Sequence, residues 1–299
     1  MKKTRIKGVV ENFAFDGVNN LILLGLIAIM LYPMLYVVSV SLSSPVAISE
    51  NRVSFYPVEF NVEGYKYIFS EKLLFSGYRN SVFYAFSSTL LMLLVTSLAA
   101  YSLALKHFIL RKFFTIYLTI TMFFGGGMVP TYLLIKDLGL LNTVWVMIIP
   151  TCVSAYNVFI FRTFFQQQPP ELRESAFIDG ANDLYIWFKI VLPLSKPLFA
   201  TYGLFHIVGT WNSWFNALLY LTNENLHPIQ MFLRRVVVNA DLRSSYGDSM
   251  AAQMMLQGLL HPQNIQMAAI VVVMVPILCI YPFIQRYFIK GAMIGAIKG

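Results

Sequence analysis

Residues 166–193 read QQQPPELRESAFIDGANDLYIWFKIVLP, a polar stretch set between two long apolar runs. Pro169 and Pro170 cannot continue a helix arriving from Phe165, but proline suits the first turn of a new helix, and Glu171 and Glu174 favour that end electrostatically. A short helix is therefore expected to begin near Pro170. Asp179 and Gly180 supply a turn with a residue free to adopt positive φ, and Asn182 or Asp183 can cap a second helix running to Leu192 and Pro193. The stretch is thus predicted to be a helix-turn-helix whose first helix carries Glu174 beside Phe177 and Ile178. A charge next to exposed apolar residues is what docking into a partner's groove requires, and a solvated loop has no need of it.

The rest of the chain sets the environment of this stretch. Hydrophobic residues make up 58% of the sequence and charged residues 12%, and the mean hydropathy is +0.65. One water-soluble core cannot absorb that much apolar surface, so the chain is read as an integral membrane protein. The net charge of +8 does not indicate nucleic acid, because the basic residues sit at the ends of apolar runs, where they set membrane orientation. Cys152 and Cys279 fall inside apolar runs and act there as small hydrophobes, with no disulfide framework.

About 20 helical residues cross the hydrocarbon layer, and six such runs are expected, near 19–42, 81–105, 113–136, 139–163, 197–221 and 264–286. The chain is read as a single transmembrane domain over 1–299. Residues 17–49 carry no charge, too long an apolar core for a cleaved signal peptide, so the first run is expected to stay as a span, bent at Pro33. Placing the amino terminus in the cytoplasm puts Lys2, Lys3, Arg5, Lys7, Lys106, Arg111, Lys112, Arg162, Arg173, Lys189, Lys196, Arg286, Lys290 and Lys298 on the inner side, fourteen of the twenty-two lysines and arginines. The positive-inside bias then sets both termini and the 166–193 stretch in the cytoplasm. Segments 43–80 and 222–263 lie outside, the latter with a helix-like run from Ser249 to Leu260.

Two spans carry irregular or polar features. Gly125, Gly126, Gly127 and Pro130 lie roughly 18 Å into the third span, at about 1.5 Å per residue, where regular helix should break. Irregular backbone at that depth is tolerated against protein or a water-filled cavity, so the break is either a wall of a transport path or a site of close helix packing. In the fifth span Asn212 and Asn216, four apart, should share a helix face with Trp211 and Trp214 beside them. Amides and aromatic faces suit sugars, and equally suit interhelical contact or interfacial anchoring. Tyr132, Tyr156 and Asn157 have the same standing. His206, mid-span, is expected to be neutral and hydrogen-bonded rather than a proton relay, and the four histidines show no metal spacing.

The 166–193 stretch also resembles a known motif. Glu174, Ala176, Gly180, Ile190, Leu192 and Pro193 match the EAA loop of permease subunits of binding-protein-dependent ABC importers, with Ser175 in place of one alanine. Across 125–130, 138–143, 192–197 and 281–299 the chain is similar to carbohydrate-type permeases of the MalG kind, and most resembles the LplC/YtcP-type subgroup. The resemblance implies an all-α, six-span MetI-like fold and an inner-membrane location. It implies that Glu174, Ser175, Ala176, Asp179, Gly180, Ala181, Ile190, Leu192 and Pro193 contact a cytoplasmic ATPase dimer. It further implies a second permease subunit, an extracytoplasmic solute-binding protein and an oligosaccharide substrate, with no nucleic acid. The sequence has no Gly-Lys dipeptide and so no Walker A loop, and no nucleophile elbow or HExxH motif. ATP and magnesium are therefore expected on the partner ATPase, with no catalytic residue, cofactor or metal in this chain. A proton-coupled secondary sugar carrier is the alternative, although the assigned spans hold no Asp or Glu. A membrane-embedded enzyme would have only His206 to work with.

Overall fold

A computed structural model describes residues 2–239 and 258–296, with side chains described for 15–238 and 258–280. Every regular element among the described residues is helical. In chain order they are α1 (Lys2–Ser41), α2 (Pro45–Ser49), α3 (Glu63–Ser70), α4 (Lys72–Ala104), α5 (Arg111–Phe123), α6 (Met128–Asp137), α7 (Ala155–Gln166), α8 (Pro170–Ile178), α9 (Asp183–Ile186), α10 (Leu192–Leu194), α11 (Lys196–Trp211), α12 (Phe215–Tyr220), α13 (Ile229–Asn239) and α14 (Pro262–Ala296). The helix expected over Ser249–Leu260 falls almost wholly outside the described residues, as do Asp241, Arg243 and Asp248.

Among the described residues, three helical stretches are long and apolar enough to cross a membrane unaided: Phe15–Ser41, Lys72–Ala104 and Pro262–Ile280. Two bent pairs meet the same requirement jointly, Val144–Thr151 with Ala155–Gln166 at 48° and Asp183–Leu194 with Lys196–Trp211 at 82°. The third run breaks where its glycines predict, into two shorter helices, α5 and α6, parted at residues 124–127. Gly127 has φ 82° and ψ 175°, a region essentially reserved for glycine. α4 begins at Lys72 rather than Ser81, and α1 runs without interruption through Pro33.

The chain's contacts divide it into two compact units, the described parts of 1–71 with 233–274 and of 72–232 with 275–299. In the first, Val40, Ala47, Ile48 and Val53 form a small buried core. Asn264 closes it, its Nδ2 donating to the carbonyls of Val40 at 3.1 Å, Ser41 at 3.1 Å and Ser43 at 3.2 Å. These are the end of α1 and the turn beyond it, where carbonyls lack helical partners.

In the second unit α4 is the central rod, packed along both α7 and α11. Its buried face carries small polar residues, Ser81, Ser88, Thr89, Thr96 and Ser97, the composition that lets helices approach closely where lipid supplies no hydrophobic drive. Near one end of α4, Asn80 Nδ2 donates to the carbonyls of Asn225 at 2.7 Å and His227 at 3.0 Å, and the Tyr84 hydroxyl to that of Leu226 at 2.8 Å. At the other end Phe161, Phe165, Ile186, Val191 and Leu198 pack with Ala100, Tyr101 and Leu103. That second cluster is the base on which residues 166–195 stand.

Candidate functional site

The 166–195 stretch folds into an elbow whose every corner has a local cause. α8 begins at Pro170 and ends at Ile178. The Ala181 amide donates back to the Ala176 carbonyl at 3.0 Å and the Gly180 amide to that of Phe177 at 3.1 Å, with Gly180 at φ 82°. This is the paired closure that ends a helix on a left-handed glycine. Of the two expected caps it is Asn182 that acts, its Oδ1 accepting from the Tyr185 amide at 2.8 Å. The second helix starts as α9, widens to a π-turn over Trp187–Val191 and resumes as α10. Pro193, which has no amide and crowds the carbonyl four residues back, accounts for the widening immediately before it.

The elbow is also pinned from outside its own turns. Arg173 Nη2 donates to Asp183 Oδ1 at 3.0 Å, joining the two helices, and the Tyr101 hydroxyl of α4 donates to the same oxygen at 3.2 Å. Burial works against the Arg173 charge, but its hydrogen bonds to Asp183 and Tyr101 outweigh that and hold its pKa above the usual value. Gln168 Nε2 donates to the Ser195 hydroxyl at 2.9 Å, tying the start of the stretch to its end, and that hydroxyl donates to the Val191 carbonyl at 2.6 Å. The contacts between Arg173 and Asp183 and between Gln168 and Ser195 escaped the sequence reading, which had Asp183 only as a possible cap. The Arg173 and Asp183 pair was visible only as two charges ten residues apart.

The predicted residues occupy distinct places on this frame. Ala176, Ala181 and Ile190 face inward against the α4–α7 core. Glu174, Ser175, Asp179, Gly180 and Pro193 are exposed, and Leu192 is half-buried. Phe177 is 61% and Ile178 85% exposed, with Leu184, Tyr185 and Phe188 also exposed. A rigid elbow thus presents apolar side chains that its own chain does not cover.

A second site lies among the membrane helices. A cavity of about 450 Å³ is lined by residues including Tyr156, Asn157, His206, Thr210, Ser213 and Asn216. That volume is within the range of small-molecule sites, and its walls are mixed aromatic and polar. Three of the sequence candidates, Tyr156, Asn157 and Asn216, come together here. His206 is the residue whose role differs from expectation: its Nε2 is buried without a hydrogen-bond partner, so the ring is not the satisfied histidine the sequence reading foresaw.

The other candidates lie elsewhere. α11 ends at Trp211 and α12 begins at Phe215, so Asn212 and Asn216 do not share one helix face. Asn and Ser at 212 and 213 favour helix ends over helix interiors, because their side chains compete for backbone groups. Asn212 is exposed and accepts from Gln230 Nε2 at 3.4 Å. Trp211 turns inward, 5% exposed, with its ring 6.0 Å from that of Tyr78. Trp214 packs edge-on to Phe215 at 5.7 Å, and Tyr132 stacks on Tyr220 at 6.0 Å. A side chain at Gly125 or Gly127 would meet nothing within 4 Å, and at Gly126 only Pro130 Cβ at 3.7 Å. Close packing within this chain therefore does not explain the three glycines. Among the described residues no group of His, Cys, Asp or Glu could hold a metal ion.

Residues 74–293, which contain both sites, match the model of the family described as binding-protein-dependent transport system inner membrane component. The chain belongs to this family. Over 286 residues it is 40% identical to Protein LplC of Bacillus subtilis (strain 168), covering 95% of each chain. It is 39% identical over 293 residues to the polygalacturonan/rhamnogalacturonan transport system permease protein YtcP of the same organism, covering 97% of this chain and 100% of that one. Among solved structures it is similar to a chain of a bacterial ABC transporter involved in the import of the acidic polysaccharide alginate. That match has TM-score 0.85 and 32% identity, and covers 92% of this chain and 96% of the other. An all-helical, MetI-like transport permease is thus the right frame for the elbow and the cavity.

Proposed function

We propose that this chain is a permease subunit of an ATP-driven importer that takes up oligosaccharide with a solute-binding protein, by alternating access. The observation that carries the reading is the elbow: a short structure locked at every corner, with Phe177, Ile178, Leu184, Tyr185 and Phe188 left uncovered. A rigid element with an exposed apolar tip can transmit a partner's movement, whereas a flexible loop would absorb it. The partner is a cytoplasmic ATPase dimer that holds ATP and magnesium, with Glu174 and its neighbours in its groove. A second, similar permease completes the pathway. The membrane topology is six spans in a single transmembrane domain, with α5 and α6 as one broken span and both termini in the cytoplasm of a bacterial inner membrane.

The substrate class is drawn from the relatives, since YtcP carries polygalacturonan and rhamnogalacturonan in its name and the similar solved transporter imports alginate. The cavity suits that class. Asn157 and Asn216 offer paired donors and acceptors for hydroxyls, Tyr156 and Tyr202 offer ring faces for the C–H side of a sugar, and His206 Nε2 has open hydrogen-bonding capacity. Nothing favours the alternative of a proton-coupled carrier. The test is transport in proteoliposomes containing the whole complex. Glu174→Ala is expected to lower both uptake and binding-protein-stimulated ATP hydrolysis while leaving membrane insertion and the amount of protein unchanged. Full coupling in that variant and in Gly180→Val would overturn the reading.

A further inference from the structure

On the side of the elbow that faces the α4–α5 loop, a crevice of about 330 Å³ is lined by Lys106, His107, Arg111, Gln168, Arg173 and Glu174, among others. Its charges do not balance. Asp183, at its edge, is engaged by Arg173 at 3.0 Å and approached by His107 Nε2 at 3.9 Å, which leaves Glu174 as the carboxylate on the crevice wall. Lys106, Arg111 and Lys112 have no carboxylate within 4.0 Å among the described residues, and neither has Arg162.

Arg162 makes the imbalance worse. Its Nη1 donates to Thr115 Oγ1 at 3.3 Å, and Thr115 Oγ1 donates to the Arg111 carbonyl at 2.7 Å. The guanidinium of α7 is thereby held over the first turn of α5, the turn that also carries Arg111. Like charges fixed near one another are unfavourable unless an anion lies between or beside them.

The surface beside these cations is apolar. Ile109 is 95% exposed, and Leu110 and Phe113 are also largely exposed. From Phe113 the apolar face continues along α5 through Ile116, Tyr117 and Ile120, all half-exposed or more. A free phosphate would use the cations and have no use for this stripe. A membrane lipid uses both, and basic pockets between helices at the membrane surface are sites for acidic headgroups.

We propose that Lys106, Arg111, Lys112 and Arg162 bind the headgroup of an anionic phospholipid whose acyl chains lie along the exposed face of α5. The bound headgroup neutralises the cluster and braces the α4–α5 loop, which touches the elbow through His107 and Asp183. Lipid composition therefore tunes how firmly the elbow is held. The proposal requires only that α5 lies against lipid, so it stands or falls separately from ATPase docking.

The experiment uses the purified assembled complex in detergent, with thermal stability and native mass spectrometry as readouts. Phosphatidylglycerol, phosphatidylcholine and inorganic phosphate are added in turn. Phosphatidylglycerol is expected to raise Tm and to survive as a bound lipid, and phosphatidylcholine and phosphate to do neither. The triple variant Lys106→Gln/Arg111→Gln/Lys112→Gln removes three charges with no carboxylate partner, and roughly a hundredfold loss in apparent affinity for phosphatidylglycerol is expected, at about fivefold per charge. Should that variant fail to assemble, Lys106→Gln/Lys112→Gln alters two exposed side chains and is expected to lose at least tenfold. Stabilisation by phosphate equal to that by lipid, stabilisation by phosphatidylcholine, or an unchanged lipid response in the variants would each overturn the proposal.

Discussion

The elbow and the membrane cavity belong to one compact unit and solve opposite problems. The elbow's turns are closed by hydrogen bonds inside the chain: Gly180 and Ala181 close α8, Asn182 opens α9, Arg173 holds Asp183, and Gln168 holds Ser195, while Arg173 Nε and Trp187 Nε1 are buried without a partner. What it turns outward is an apolar tip, Phe177 and Ile178, beside the exposed carboxylates of Glu174 and Asp179. The cavity has no such apolar tip; it has a buried His206 Nε2 without a partner and polar side chains turned into open space. A braced surface with an uncovered apolar tip flanked by charge is built to be gripped. A pocket with unspent hydrogen-bonding capacity is built to hold something small and polar.

The comparison can be broken most forcefully at Gly180. Gly180→Val forces a β-branched residue into the left-handed region, at a cost of roughly 1–2 kcal/mol or more, and dismantles the closure of α8. Uptake and stimulated ATP hydrolysis are expected to fall tenfold or more together, while the affinity of the permease for substrate, measured on the same proteoliposomes, stays unchanged. Next in size is the cavity. Asn157→Ala and Asn216→Ala each remove a polar partner from the cavity wall, and a loss of about 1–1.5 kcal/mol per hydrogen bond predicts a roughly five- to tenfold rise in the substrate concentration needed for half-maximal uptake. Hydrolysis driven by the binding protein without substrate should not change. An equal effect of either set on both readouts would erase the distinction.

Smaller effects sharpen it. Asp183→Asn weakens a partly exposed ion pair worth about 1 kcal/mol at most, so coupling is expected to fall only a few-fold. A double-mutant cycle with Arg173→Gln should show the two changes to be non-additive. Least of all is expected from Trp211→Phe. The ring packs inward beside Tyr78, outside the cavity, so half-maximal uptake should be unaltered and stability reduced slightly, as thermal denaturation would show.

These two regions also differ in how far they could be read in advance. The elbow's turns are encoded locally: Pro170 starts a helix, Gly180 permits a left-handed turn, Asn182 caps, and each signal lies within a few residues of its effect. The π-turn at Trp187–Val191 was not foreseen, because it arises from Pro193 acting backwards along a helix that would otherwise be regular. The cavity draws on residues 147–157 and 202–216, which only packing brings together. Periodicity placed Asn212 and Asn216 on one face because the run around them is apolar enough for a continuous helix. The preference of Asn and Ser for helix ends won instead. Likewise Gly125 to Gly127 announced a break in the backbone, and the break is there between α5 and α6, while what lies against it in the membrane is not encoded within this chain's own contacts.

Site-directed cross-linking asks most directly whether the elbow meets a motor. In a chain with Cys152 and Cys279 replaced by serine, Ile178→Cys places one thiol at the most exposed apolar point of the elbow. In inverted membrane vesicles holding the whole complex, this thiol is expected to cross-link to the ATPase subunit, with a yield that changes when ATP is added. Failure to cross-link there, together with labelling of the same thiol in intact cells by a reagent that cannot cross the membrane, would place the elbow on the wrong side and contradict the account.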